Sequence, residues 1–408
     1  MKKFADASSL LLLVLITILT TTVAAPAQSN GGSTAPKPPM AEKKPKVTKI
    51  HGETLTDDYY WLREKSNPAV VSYLEAENAY TDAFMKPTEA LQESLYKEMV
   101  GHIKETDQSA PYRWGNYFYY SRTEQGKQYP IYCRKRGSLE GSEEVILDQN
   151  ELAKGLKFMS VGAFVVSDDG NLLAYSTDST GYRQYKLQIK DLRSGELFPE
   201  SFERTGSVMW STDNKTLFFT TEDAVTKRSD KFFHHALGSD KTDLLFEEKD
   251  ELFDLIAYRS RDRAMIFLGS ISKTSNEFRY LPADQSTAEL KLIRAREADH
   301  EYDVDHRGQL FYIRTNKNAK NFRVVTAPVS DPSEKNWKDV VAHRPAVKVA
   351  EIDLFANHLV VSEWENGLQR LEVVEFKNGK RHWIKFPEPV YSAFVGVNRE
   401  FDTPAVRY

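Results

Sequence analysis

A turn followed by a short apolar strand recurs along this chain from Trp114 onward, and the recurrence limits the folds open to it. The unit reads Trp114-Gly115-Asn116 then Tyr117–Tyr120, and Ser167-Asp168-Asp169-Gly170-Asn171 then Leu172–Tyr175. It returns as Ser211-Thr212-Asp213-Asn214-Lys215 then Thr216–Thr220, and as Ser260-Arg261-Asp262-Arg263 then Ala264–Gly269. Asp305-His306-Arg307-Gly308 then Gln309–Ile313, and Ala356-Asn357 then His358–Ser362, continue it. The spacing is roughly 42–55 residues, the range of β-propeller blades. Arg193-Ser194-Gly195 and Lys377-Asn378-Gly379 read as hairpin turns later inside their units. Each unit then supplies about four antiparallel strands, and neighbours must stack around a ring because one blade cannot bury both faces.

By this reading six units are complete, and a seventh at Val397-Asn398-Arg399-Glu400 has only begun. The expected fold class is mainly β: a seven-bladed propeller with its last blade truncated, behind a helical N-terminal arm. A six-bladed ring with a short tail is the alternative. An open ring leaves a sheet face and strand edges exposed. The 20 Tyr and 22 Phe suit strands.

Ahead of the repeats the periodicity is helical. Asn67-Pro68 opens a helix over Ala69–Met85, with Val70, Tyr73, Leu74, Tyr80 and Phe84 at helical spacing. Leu91, Leu95, Met99 and Ile103 mark a second over Glu89–Ile103. The domains read as a signal peptide at 1–27, a disordered linker at 28–46, a helical arm at 47–110 and the propeller at 111–408. Lys2, Lys3, the apolar run Leu10–Leu19 and Ala25-Pro26-Ala27 carry the signal reading, which implies a periplasmic or secreted protein. An uncleaved anchor is the rival, but the run barely reaches the ~20 apolar residues of a span. Gly31, Gly32, Pro36, Pro38, Pro39 and Pro45 make the linker.

A net charge of −4 gives no basic excess for nucleic acid or an anionic membrane; Lys43, Lys44, Lys46 and Lys49 are a local cluster. Cys133 is the one cysteine, so no internal disulfide forms, and it reads as an inert packed residue. His300 and His306, with Glu301, Asp303 and Asp305, invite a metal reading. Strand alternation turns the imidazoles and the carboxylates to opposite faces, so no ligand set gathers. His234 and His235 diverge on a strand for the same reason. Tyr59, Tyr60 and Trp61 read as packing aromatics rather than a ligand platform. Asn214-Lys215-Thr216 is a glycosylation sequon in a tight turn, unsuited to modification. No cofactor-binding or metal-ligating residue is assigned, and no Gly-rich phosphate loop is present.

Several separated motifs carry a family resemblance. His51-Gly52-Glu53-Thr54-Leu55-Thr56-Asp57-Asp58-Tyr59-Tyr60-Trp61-Leu62-Arg63 is similar to the opening signature of the prolyl oligopeptidase family, in particular its oligopeptidase B branch. Tyr73–Asn78, Glu247–Asp250, Asp299–His306 and Asn316–Phe322 continue the likeness in the same order. The resemblance implies an arm packing on an α/β-hydrolase domain and a propeller that admits only short peptides. It also implies a later Ser, Asp and His, with cleavage after Lys or Arg. No Gly-x-Ser-x-Gly turn occurs in this chain, so no catalytic residue is assigned here. Short peptides are the expected partners, with a separate catalytic polypeptide as a further one. Neither nucleic acid nor stable membrane association after signal cleavage is expected. A non-catalytic propeller that binds peptides or proteins is the alternative.

Overall fold

The computed structural model describes residues 36–408. The expected signal peptide lies outside the described residues, among which no helix is long and apolar enough to cross a membrane. Two units divide the chain, Met1–Ile103 and Lys104–Tyr408.

The first unit opens on an antiparallel pair, Lys46–Ile50 with Glu53–Asp57. His51 and Gly52 join the strands with φ of 50° and 83°. A two-residue hairpin needs left-handed backbone at both positions, which Gly adopts at no steric cost. Ordered contacts reach back into the segment expected to be a disordered linker. Lys44 N donates to Asp58 O at 2.8 Å, and Trp61 Nε1 to Glu42 O at 2.9 Å. Trp61 is buried and its indole N–H needs an acceptor, a local demand that averaged linker composition hides. Helix α1 spans Pro68–Met85, where Asn67 Oδ1 accepts from Ala69 N at 3.0 Å and caps the first turn. Helix α2 spans Glu89–Gly101 and has no buried residue. Leu91, Leu95 and Met99 stand 59%, 46% and 60% exposed along one face of it.

The second unit contains six four-stranded antiparallel sheets, each a consecutive meander. We number them blades 1 to 6 and letter their strands a to d. The a strands are Tyr112–Trp114, Ser160–Val166, Thr205–Trp210, Asp254–Arg259, Tyr302–Arg307 and Val347–Leu354. The strands anticipated from the repeat are the b strands, Tyr117–Arg122, Leu172–Asp178, Thr216–Glu222, Met265–Ile271, Leu310–Thr315 and His358–Glu365. The turn before each b strand is fixed locally. Ser167 Oγ donates to Asp169 Oδ1 at 2.6 Å and accepts from Leu172 N at 2.9 Å. Ser260 does the same with Asp262 and Met265. Such side-chain bonds replace the backbone partners that a turn leaves open.

The core lies in the seams between blades. Phe267, Phe278 and Tyr280 of blade 4 pack on Tyr302, Val304 and Phe311 of blade 5. The next residues along the same strands, Ile266, Leu268 and Leu281, pack the other way on Phe218 and Phe232 of blade 3. Strand alternation thus gives each blade two apolar faces. Beyond blade 6, Phe355, Val360 and Leu371 are covered by Ile384, Phe386, Ala393 and Val406. No strand is present among residues 384–408, where the seventh unit was read to begin. Instead Gly396 N donates to Arg407 O at 2.8 Å, and Glu400 Oε1 accepts from Gly115 N of blade 1 at 2.6 Å.

Candidate functional site

The six a strands, with Asn398 and Arg399, line a cavity of about 690 Å³. Side chains on the blade 5 a strand alternate between buried and solvent-facing. Tyr302, Val304 and His306 are buried, while Asp303 and Asp305 keep solvent contact. The carboxylate and imidazole faces expected for this strand are therefore separated. His300 Nε2 lies 2.8 Å from Thr315 Oγ1, and His306 Nδ1 lies 2.6 Å from Asp262 Oδ2.

Charge inside the cavity is high and mostly paired. Arg259 of blade 4 donates through Nη1 and Nη2 to Asp168 of blade 2 at 3.1 and 2.9 Å, and Arg263 approaches the same carboxylate at 3.7 Å. Arg261 pairs with Asp353, and Arg314 with Asp303. Asp305 has no ion-pair partner among the described residues, and its Oδ1 accepts from His306 N at 2.8 Å. Withdrawal from water pushes its carboxyl up to about 7, against the pull of that backbone N–H and of Arg261. Burial likewise raises Asp353 above the usual carboxylate range despite Arg261.

Ser260, Asp262 and His306 bring together the residue types of a nucleophilic triad. Their connectivity differs: Ser260 Oγ donates to the Asp262 carboxylate and not to the imidazole. A nucleophile needs its base within hydrogen-bond reach and an exposed hydroxyl. Ser260 is buried, so this cluster joins the blade 4 turn to blade 5. His234 and His235 diverge as expected, the first toward Asp243 at 3.2 Å and the second toward Thr242 Oγ1 at 3.0 Å. Cys133 is buried in blade 1 and burial pushes its thiol up to about 11, which keeps it protonated and unreactive. Tyr60 lies under the Lys46 ammonium at 3.5 Å and Trp61 under that of Lys44 at 4.5 Å, while Tyr59 is exposed. Asn214 adopts φ of 55° in its turn, and its Oδ1 accepts from Asp169 N at 3.2 Å.

Sequence reasoning had no means of finding the Asp168–Arg259 bridge or the arginines grouped in the cavity wall. It did single out Glu247–Asp250, and the structure explains that motif. Glu248 and Glu277 both accept from Arg296 Nη2, at 2.5 and 2.9 Å, which clamps blade 3 to blade 4.

The fold agrees with comparison to known proteins. Residues 38–408 match the family description "Prolyl oligopeptidase, N-terminal beta-propeller domain". The chain belongs to the prolyl oligopeptidase family. Within it, dipeptidyl aminopeptidase BI of Pseudoxanthomonas mexicana is 39% identical, across 91% of this chain and 54% of that protein. Protease 2 of Moraxella lacunata is 35% identical over the same shares, 91% and 54%. Oligopeptidase B from Leishmania major superposes with a TM-score of 0.84 at 29% identity, covering 91% of this chain and 57% of that one. Oligopeptidase B from Trypanosoma brucei gives 0.83 at 28% identity, covering 91% and 56%. The chain spans about half the length of the curated relatives that it matches.

Proposed function

We propose that this chain is the propeller portion of an exported serine oligopeptidase that hydrolyses short peptides after Lys or Arg. The Ser, His and Asp of acyl transfer lie outside these residues, and the propeller restricts substrates by size. The observation that carries the reading is the family match over residues 38–408 on blades whose a strands line a common cavity. The exposed Leu91–Met99 face of α2 supports it, since an apolar stripe of this kind suits burial against a further domain, here the hydrolase body. The basic preference rests on kinship with oligopeptidase B and Protease 2. The Lys2–Ala27 leader supports export.

The test joins this chain to a hydrolase segment taken from its own gene or supplied as a separate polypeptide. Chromogenic peptides ending in Arg, Lys, Ala and Pro are then assayed, beside a long unfolded protein. Cleavage after Arg and Lys, with the long chain spared, is the expected result. Failure on every short peptide would sink the hydrolytic reading and leave a peptide-binding module.

A further inference from the structure

Between blades 1 and 2 the cavity wall opens into a side pocket of about 70 Å³, formed by Tyr112, Trp114, Tyr119, Phe164, Val166 and Arg399 among others. Its walls are aromatic and aliphatic, and Tyr112 stacks on Tyr119 with ring centroids 5.8 Å apart. Two hydrogen-bond donors in these walls are unused. Trp114 Nε1 and Tyr119 Oη are shielded from solvent and find no acceptor among the described residues. Tyr119 is only 3% exposed. Leaving such a group unpaired costs about 1–3 kcal/mol, so a pair of them in one pocket is informative. Arg134 sends two of its N–H groups to Glu144 and Gly170 O, and its guanidinium also interacts with the Tyr119 hydroxyl oxygen, which leaves the hydroxyl proton free to donate. Burial pushes the Tyr119 hydroxyl up to about 12, so it remains a neutral donor.

Arg399 adds a charge at the rim. It borders this pocket, the cavity above and a neighbouring cavity of about 750 Å³ lined by blades 1 to 4, and its guanidinium lies 5.8 Å from the Trp114 ring. Among the described residues no carboxylate pairs with it. Arg263 also stacks on Trp114, at 4.2 Å, but Asp168 lies 3.7 Å from it. The pocket therefore combines an apolar box, two neutral donors and one uncommitted cation. A carboxylate is acceptor-only and offers about four lone-pair sites, which suits that donor set. The volume is under half of the ~150 Å³ that takes a benzene ring, so the apolar part of the ligand is small.

We propose that this pocket binds the C-terminal residue of a short peptide. An alanine- or valine-sized side chain enters between Tyr112, Phe164 and Val166, and the terminal carboxylate meets Arg399 and the Trp114 and Tyr119 donors at the mouth. The rest of the peptide lies in the main cavity. The inference rests on the peptide reading above for its choice of ligand class.

The experiment is calorimetric titration of the purified chain with N-acetyl-Ala-Ala-Val and with its C-terminal amide. Saturable binding of the acid is expected, with the amide about tenfold weaker, the scale of one charge-assisted hydrogen bond. Arg399→Gln should erase that difference. Trp114→Phe and Tyr119→Phe should each weaken the acid several-fold, and Val166→Phe should fill the pocket and abolish binding, with near-UV circular dichroism unchanged. Equal binding of acid and amide by the unaltered chain overturns the proposal, as does undiminished binding by a folded Val166→Phe. Absence of saturable binding also overturns it. Should the joined peptidase fail on all short peptides while the acid-over-amide preference holds, the hydrolytic reading falls and this site stands.

Discussion

Arg259 and Asp168 form a two-pronged ion pair although 91 residues and the whole of blade 3 separate them in sequence. The same guanidinium donates to Trp210 O of blade 3 at 3.2 Å, so one side chain joins three successive blades. Asp168→Asn keeps the shape but leaves Arg259 and Arg263 without their anion. A loss of about 1–3 kcal/mol is expected in urea unfolding. The double variant with Arg259→Met should lose less than the two single losses added together, and strict additivity would show the pair to be uncoupled.

Arg296 holds two buried carboxylates. Burial pushes Glu248 and Glu277 up, but the bonds from Arg296 and from backbone N–H groups outweigh it and hold both below the usual carboxylate range. Arg296→Met therefore strands Glu248 and leaves Glu277 with Arg279 alone, 2.8 Å away, and should cost about 3 kcal/mol at neutral pH. Because the native carboxyls are depressed, the clamp acts above the ordinary carboxylate range and is lost as acid protonates them. The gap between variant and parent should then narrow from pH 7 to pH 3 in chemical denaturation. A gap that stays constant with pH would argue for lost packing instead.

Asp305 works with the opposite sign. Its carboxyl is raised from an ordinary 3.8 to about 7, so between those values the folded chain binds more protons than the unfolded one. Stability from this group is full at low pH and falls as pH rises toward 7. His300 opposes it: burial lowers that imidazole to about 4, so its contribution is lost as pH falls from 6.5. Asp305→Asn should leave stability at pH 4 nearly unchanged and raise it at pH 8. Every tenfold difference in proton affinity between the folded and unfolded chain is worth about 1.4 kcal/mol. A parallel pair of pH profiles would refute the assignment.

The α2 stripe gives a solution prediction. Leu95→Lys with Met99→Lys should reduce self-association in sedimentation velocity, since both side chains are about half exposed or more. The melting transition of the bladed unit should not move. If association persists unchanged, another surface is responsible.

The blade rhythm was legible because its turns are local. Ser167, Ser211 and Ser260, with the aspartates two residues on, lie within a few residues of the strands they start. Alternation also sorted Tyr302, Val304 and His306 from Asp303 and Asp305 correctly. The His51-Gly52 hairpin escaped because its strands carry Lys and Thr on fully exposed backbone, with no apolar alternation to mark them. The cavity wall escaped for a different reason. Its pairs, Arg259 with Asp168 and Arg261 with Asp353, are set by ring closure over some 90 residues, which no short window of sequence contains.

The alternation in blade 5 has an evolutionary consequence. Tyr302, Val304 and His306 belong to the seams, and the residues interleaved with them, Asp303 and Asp305, face the cavity. Substitutions at the interleaved positions leave the apolar seams intact. A lineage can therefore retune which molecules enter the ring by single exchanges along the blade 5 inner strand, with the selective cost of misfolding there confined to every second residue.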